Sequence, residues 1–255
     1  MNDLIEKNPW ADLRRFTSAR IALGRAGNSL PTDELLRFGV AHAQARDAVH
    51  QPFEPASIAA DLRAIGLDSV LVHSAAPDRA HYLRRPDLGR RLDESSRAVL
   101  NAARAEAPPH LAIVIADGLS ARAVQDHAVP LLRSLLPAVG TDNWRTAPIV
   151  IAQQSRVALG DDIGERLGAE IVAMLIGERP GLSSPDSLGI YVTYAPKVGR
   201  TDAERNCISN VRPQGLSYEQ AARRLLFLLD AARRLRLTGV QLKDDSDLSS
   251  LTREA

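Results

Sequence analysis

Three features of the chain predict an α/β fold built on a parallel sheet. The first is a set of short apolar runs, LAIVIA (111–116), APIVIA (147–152) and Ile171–Ile176. Each is too short for an independent helix and reads as a strand buried on both faces. The second is the pattern downstream of the first two runs. A turn, DGLS (117–120), leads into ARAVQDHAVPLLRSLLPAVG, and the loop QQSRVALG leads into a short helical stretch. Strands alternating with helices at this spacing indicate parallel pairing. The third is the segment after Ser217, where Ser217 and Gln220 match a capping box. Leu225, Leu226, Leu228, Leu229, Ala232 and Leu235 line one side of that helix, and arginines lie mainly opposite.

Among these elements, Ala169–Asn210 carries the ligand edge. The run 171–176 stops at Gly177-Glu178-Arg179-Pro180-Gly181, and a second run, Leu188–Tyr194, comes soon after. Two glycines and a proline force a tight loop there. Open α/β sheets hold ligands outside the carboxyl ends of their strands, so GERPG offers a carboxylate and a guanidinium at a suitable place. Asp117 and Ser120 would stand at the end of an earlier strand and the start of its helix, where free N–H groups face a ligand. They serve equally as local caps. Pro130 is expected to kink or end that helix.

The N-terminal 66 residues read as a helical lobe. Residues 1–8 look frayed, and Trp10, Leu13 and Phe16 come next at helical spacing. Gly24 and Gly27, with Arg20 and Arg25 nearby, form either an anion-cradling loop or a connector. Thr32 is expected to cap a helix with a broad apolar stripe (Leu35, Leu36, Phe38, Val40, Ala41, Ala45), and a second helix covers Pro55–Ile65. Residues 67–240 form the α/β domain, opening with a hairpin-like pair, Val70–His73 and His81–Leu83. A helix after Gly89 begins with arginines, which opposes its dipole and hints that Arg90 and Arg91 face a carboxylate or phosphate. Residues 241–255 read as a flexible tail.

Composition narrows the function classes. The net charge is only +1 and basic residues are dispersed, so nothing points to nucleic acid. One cysteine, Cys207, precludes an internal disulfide and fits a reducing, cytoplasmic compartment. No apolar run reaches membrane length, and the N-terminus has no signal-peptide core. Cys207 lacks a placeable base and a lowered-pKa signature, so it reads better as a small buried hydrophobe than as a nucleophile. The six histidines show no metal-ligand spacing. The residues alone therefore stop at an α/β domain with a ligand edge. They leave open a stand-alone enzyme on a nucleotide-like ligand, with Asp117, Glu178 and Cys207 as actors, and a pure assembly module.

A combination of motifs goes further. ARIALGRAG (19–27), SLPTDELLRF (29–38), LRRPDLGRRL (83–92), ADGLSARAV (116–124), SRVALGDDIGERLGA (155–169), LIGERPGL (175–182) and NCISNVRPQG (206–215) occur in this order. Together they closely resemble the small (light) subunit of ethanolamine ammonia-lyase, from about Trp10 to Gly239. The resemblance implies a Rossmann-like α/β domain with a helical N-terminal part. It implies a subunit that holds adenosylcobalamin against a large, substrate-binding subunit while ethanolamine becomes acetaldehyde and ammonia by a radical route. Three family contacts to the cofactor carry over, to Val157, Glu178 and Cys207, with Arg156 and Gly177 adjoining. No catalytic or metal-ligating side chain is implied for this chain, and no Asp-x-His-x-x-Gly pattern offers a histidine to cobalt. The resemblance also admits association with a bacterial microcompartment.

Overall fold

The computed structural model describes residues 5–139 and 144–246. Six strands form one sheet: β1 (Ser69–His73), β2 (Leu111–Ala116), β3 (Ile149–Gln153), β4 (Ile171–Gly177), β5 (Leu188–Tyr194) and β6 (Asn206–Val211). Their spatial order is β1-β3-β2-β4-β5-β6. The first four are mutually parallel, β5 runs antiparallel to both of its neighbours, and β6 therefore runs with the first four again. The sheet is therefore mixed, a correction to the parallel-type sheet expected from the repeated strand–turn–helix plan. The reason is local. Only the ten residues 178–187 separate β4 from β5, too few for a crossover helix, so β5 must turn back beside β4.

Period-two alternation divides the sheet residues between two cores. Ile113, Ile115, Ile151, Ala173 and Leu175 face α2 (Pro55–Ala64), α5 (Ala121–Val139) and α7 (Tyr218–Leu235). Ala112, Val114, Ala152, Val172 and Met174 face the other layer, with α6 (Leu159–Leu167) and the Leu100 end of α4 (Glu94–Ala102). Every residue of β2 and β4 is buried, as continuous apolar runs between two helical layers require. The chain leaves β2 for α5 on one side and the adjacent β3 for α6 on the other. A crevice opens where the two paths diverge.

Several local expectations are corrected. Residues 79–84 form a short helix, α3 (Arg79–Arg84), not the second arm of a hairpin, because Asp78 caps its start by accepting from the His81 N–H at 2.8 Å. The helix foreseen after Gly89 begins at Glu94, capped by Asp93 accepting from the Ser96 N–H at 2.7 Å. Arg90 and Arg91 thus precede the cap and do not oppose the dipole. α5 continues through Pro130 and Pro137. Pro130 frees the carbonyl of Asp126, an exposed residue, while Leu131, Leu132 and Leu135 remain fully buried. α1 (Thr32–His50) starts at Thr32 itself, without a side-chain cap. Residues 5–8 are not frayed, since Glu6 and Arg25 bridge through backbone bonds of 2.8 and 3.0 Å. Gly24, at φ +73°, is needed there, as a Cβ would lie 2.7 Å from the Glu6 carbonyl. Residues 1–4 and the tail beyond 246 lie outside the described residues.

The capping contact at Ser217 matches expectation, its hydroxyl accepting from the Gln220 N–H at 3.3 Å. The apolar stripe of α1 does not pack as a stripe. Leu35, Leu36, Phe38 and Val40 are exposed, and only Glu34, Ala41 and Ala48 are buried.

One buried ion pair joins the two halves of the sheet. Arg205 donates to both oxygens of Asp161 at 2.6 and 2.7 Å, with both side chains almost wholly out of water. Asp161→Asn would leave the guanidinium buried beside a neutral group. It is expected to lower unfolding free energy by about 3–5 kcal/mol in urea titrations, whereas Asp87→Asn, in a solvent-exposed pair, is expected to leave the urea midpoint essentially unchanged.

Candidate functional site

The crevice is assembled from the ends of β2, β3 and β4. Asp117, one residue past β2, is buried and accepts from the backbone N–H groups of Gln154 and Ser155 at 3.0 and 2.9 Å. It thereby closes the turn after β3. Arg79 lies 3.6 Å from the same carboxylate and donates to the Gly118 carbonyl at 2.8 Å. Tyr82 donates to the Ser155 carbonyl at 3.2 Å, and the guanidinium groups of Arg79 and Arg156 sit over its ring at 4.7 and 4.2 Å. Burial pushes the Tyr82 hydroxyl pKa up.

β2 and β4 meet at their ends backbone to backbone. Leu119 N–H donates to the Gly177 carbonyl at 2.9 Å. A Cβ on Gly177 would lie 2.0 Å from the Ser120 carbonyl, and one on Gly118 would lie 2.2 Å from the Gly177 carbonyl. Two glycines are thus required for the approach. Ser120 is a cap, accepting from the Ala123 N–H at 3.3 Å and donating to the Pro185 carbonyl at 3.0 Å.

A cavity of about 400 Å3 results, lined by Arg156, Val157, Gly177, Glu178, Arg179 and Tyr191 among others. Four of the five sequence-derived site residues, Arg156, Val157, Gly177 and Glu178, converge there. Glu178 is held by the Ser187 hydroxyl, which donates to Oε2, and by the Asn210 N–H at 3.3 Å. That amide is free because β6 carries one extra residue opposite Gly189, and Asn210 takes φ +61°. Oε1 has no hydrogen-bond partner among the described residues. Arg156 donates to the Tyr82 carbonyl at 3.1 Å, while its Nε is buried without a partner.

Cys207 lies beside the cavity, not in its wall. It is exposed, which corrects the buried-hydrophobe reading. β6 is an edge strand whose inward positions are Ile208 and Val211, so Cys207 and Ser209 face out, with Sγ and Oγ 3.3 Å apart. In register Cys207 faces Tyr191. Burial raises the Tyr191 hydroxyl pKa, with Cys207 and Glu178 adding to the rise. Tyr191 also lines a second cavity, of about 600 Å3, with Arg156 and Val157. Sequence reasoning missed Tyr191 and Tyr82. The alternation of LGIYVTY holds a signal for the first, since Ile190 and Val192 point into one core and Tyr191 must point the other way.

Comparison with known proteins decides the family. The family model for ethanolamine ammonia-lyase light chain (EutC) matches residues 7–243. The chain belongs to this family. Ethanolamine ammonia-lyase small subunits from Azotobacter vinelandii (60% identical over 96% of this chain and 92% of the relative) and Pseudomonas fluorescens (58%, over 98% and 92%) are among its relatives. One from Ralstonia nicotianae is 57% identical over 97% of this chain and 92% of its own length. The chain is thus the small subunit of a two-subunit ammonia-lyase. Among the described residues no helix is long and apolar enough to cross a membrane, and no cluster of His, Cys, Asp and Glu is arranged to hold a metal ion.

The electrostatics of Asp117 have a measurable consequence. Burial, opposed by the Ser155 N–H and Arg79, pushes its pKa up to about 6. An unfolded aspartate titrates near 3.9. The folded chain therefore binds a proton more tightly, and the associated stability is complete below pH ~4 and lost as pH rises through 6. Between pH 4 and 7, wild type is expected to lose about 2–3 kcal/mol relative to Asp117→Asn in parallel urea titrations.

Proposed function

We propose that the crevice is the small-subunit wall of an adenosylcobalamin site in an ethanolamine ammonia-lyase. The observation that carries this reading is the meeting of Val157 and Glu178, from loops after different strands, on one cavity beside Tyr191 and Cys207. The donor and acceptor set fits a corrinoid. Apolar surface from Val157 suits a macrocycle, and the unpartnered Glu178 Oε1 suits its amide arms as acceptor. Arg156 adds a guanidinium to the same lining. When bound, the cofactor supplies the radical that starts cleavage of the carbon–nitrogen bond of ethanolamine.

The chain's own residues bind and orient. Ser187 and Asn210 fix the Glu178 carboxylate, so Oε1 is aimed without further ordering on binding. Cys207 and Tyr191 extend the wall toward β6. The substrate is held by the large subunit, and closure between subunits keeps water from the reacting centre. We assign the exposed apolar residues of the N-terminal lobe (1–66), from Trp10 to Val40, to contact with that subunit. Residues 67–240 form the domain that faces the cofactor, and Leu242, just past it, packs into the same core. The site is cytoplasmic or enclosed in a bacterial microcompartment.

The test is reconstitution. Ammonia release from ethanolamine is expected only when this chain, its large subunit and adenosylcobalamin are combined. Activity of this chain alone would overturn the reading, as would unaltered corrinoid affinity of the large subunit without it. Glu178→Gln is expected to weaken cobalamin binding about ten- to a hundredfold by equilibrium dialysis, with the Michaelis constant for ethanolamine unchanged. Cys207→Ser keeps side-chain size and is expected to retain turnover at saturating cofactor. Complete loss of turnover there would show that the thiol does more than pack.

A further inference from the structure

We infer that the second cavity, of about 600 Å3, is a phosphate-ester site adjoining the crevice. Five arginines line it: Arg90, Arg91, Arg156, Arg200 and Arg205. The only carboxylate in its wall is Asp202. Two of the arginines are already neutralised. Arg205 is bound by Asp161 at 2.6 and 2.7 Å and approached by Asp202 at 3.4 Å, and Arg200 pairs with Glu204. Arg90, Arg91 and Arg156 have no carboxylate within ion-pair distance among the described residues.

These three cations are brought together by the backbone, not by chance extension of long side chains. Arg156 N–H donates to the Gly89 carbonyl at 2.8 Å. A Cβ on Gly89 would lie 2.9 Å from Arg156 Cγ and 3.1 Å from both the Gln154 carbonyl and the Tyr82 ring. Only glycine lets the 88–91 turn come so close to the loop after β3. Concentrating like charges on one wall opposes folding unless an anion is bound there. Arginine's planar fork matches a phosphate oxygen pair.

The basin shares the walls Arg156, Val157 and Tyr191 with the adjoining cavity that holds Glu178. A cobalamin carries one phosphodiester, between its corrin side chain and its nucleoside, and a free phosphate ester presents the same chemistry. The cofactor as the source of the phosphate rests on the corrinoid reading above; the anion site itself does not.

The test uses the chain assembled with its large subunit and the double variant Arg90→Ala/Arg91→Ala, both measured by equilibrium dialysis. The ligands are cobalamin, cobinamide phosphate and cobinamide, the last lacking phosphate. The variant is expected to bind the first two about ten- to a hundredfold more weakly and cobinamide within about twofold of wild type. Arg91→Lys, which keeps charge but loses the fork, is expected to fall between. Equal loss for all three ligands, or no loss, would overturn the cofactor as the source. A parallel arm titrates the isolated chain with inorganic phosphate at low ionic strength by calorimetry. Phosphate binding by wild type and not by the variant, without discrimination among corrinoids, would assign the basin to a free phosphate ester. Failure of both arms would overturn the site. If no corrinoid binds even to wild type, the corrinoid reading fails and the phosphate arm alone decides. Unchanged thermal melting of the variants confirms that folding is not the cause.

Discussion

The Asp161–Arg205 pair is the contact on which the site's geometry depends. Asp161 stands in the first turn of α6, four residues after Val157. Arg205 stands two residues before Cys207, at the entry to β6. The same guanidinium also reaches the Thr193 hydroxyl at 3.1 Å and the Arg200 carbonyl at 2.9 Å. One ion pair thus ties a helix start, β5, the loop after β5 and the edge strand into one unit. Desolvating two charges is costly, and such a pair is weak grounds for net stability. Its effect here is on register. Any slip of β6 would strand a guanidinium away from water without its partner, so the antiparallel edge has one permitted position beside the parallel strands.

The rest of the crevice is set by what its residues lack. Gly118 and Gly177 let two strand ends touch through backbone, and Gly89 lets a turn approach Arg156. Because the strand ends meet so closely, the carbonyls and amides there must find partners in one another or in nearby side chains. Asp117 and Ser120, which carry the chemistry a catalytic site would need, are spent on that task. Glu178 is positioned by two donors but keeps one oxygen open. That division, closed polar groups below and open ones at the rim, suits a binding wall rather than a catalytic centre.

The site is legible in the sequence as far as loops after strands can be named. LIGERPG places Glu178 past a buried run, and SRV places Val157 past another, so both fall on one sheet edge. Cys207 reads wrongly as buried because one cysteine between Asn206 and Ile208 does not announce an edge strand. Only the neighbours across the sheet reveal which of its faces is open. Tyr82 escapes notice for a related reason: His81–Leu83 has strand-like composition, and the Asp78 cap that makes it helical is a single local bond. The apolar positions of α1 are visible, but periodicity cannot tell whether an apolar stripe faces this chain's own core or another subunit.

What the sequence by itself determined is the set of buried strands, the last helix with its Ser217 cap, and the loops that carry Arg156, Val157, Gly177 and Glu178. These result from short-range physics, namely apolar period, capping and the backbone freedom of glycine. Tertiary structure alone decided that β5 lies antiparallel between β4 and β6, that Tyr191 lines two cavities, and that three arginines have no carboxylate at ion-pair distance among the described residues. Those outcomes depend on which distant residues meet: Asp161 with Arg205, Gly89 with Arg156, and Tyr191 with Cys207. Each pair is separated by tens of residues or lies on different strands, so it forms only when the sheet order brings the two together.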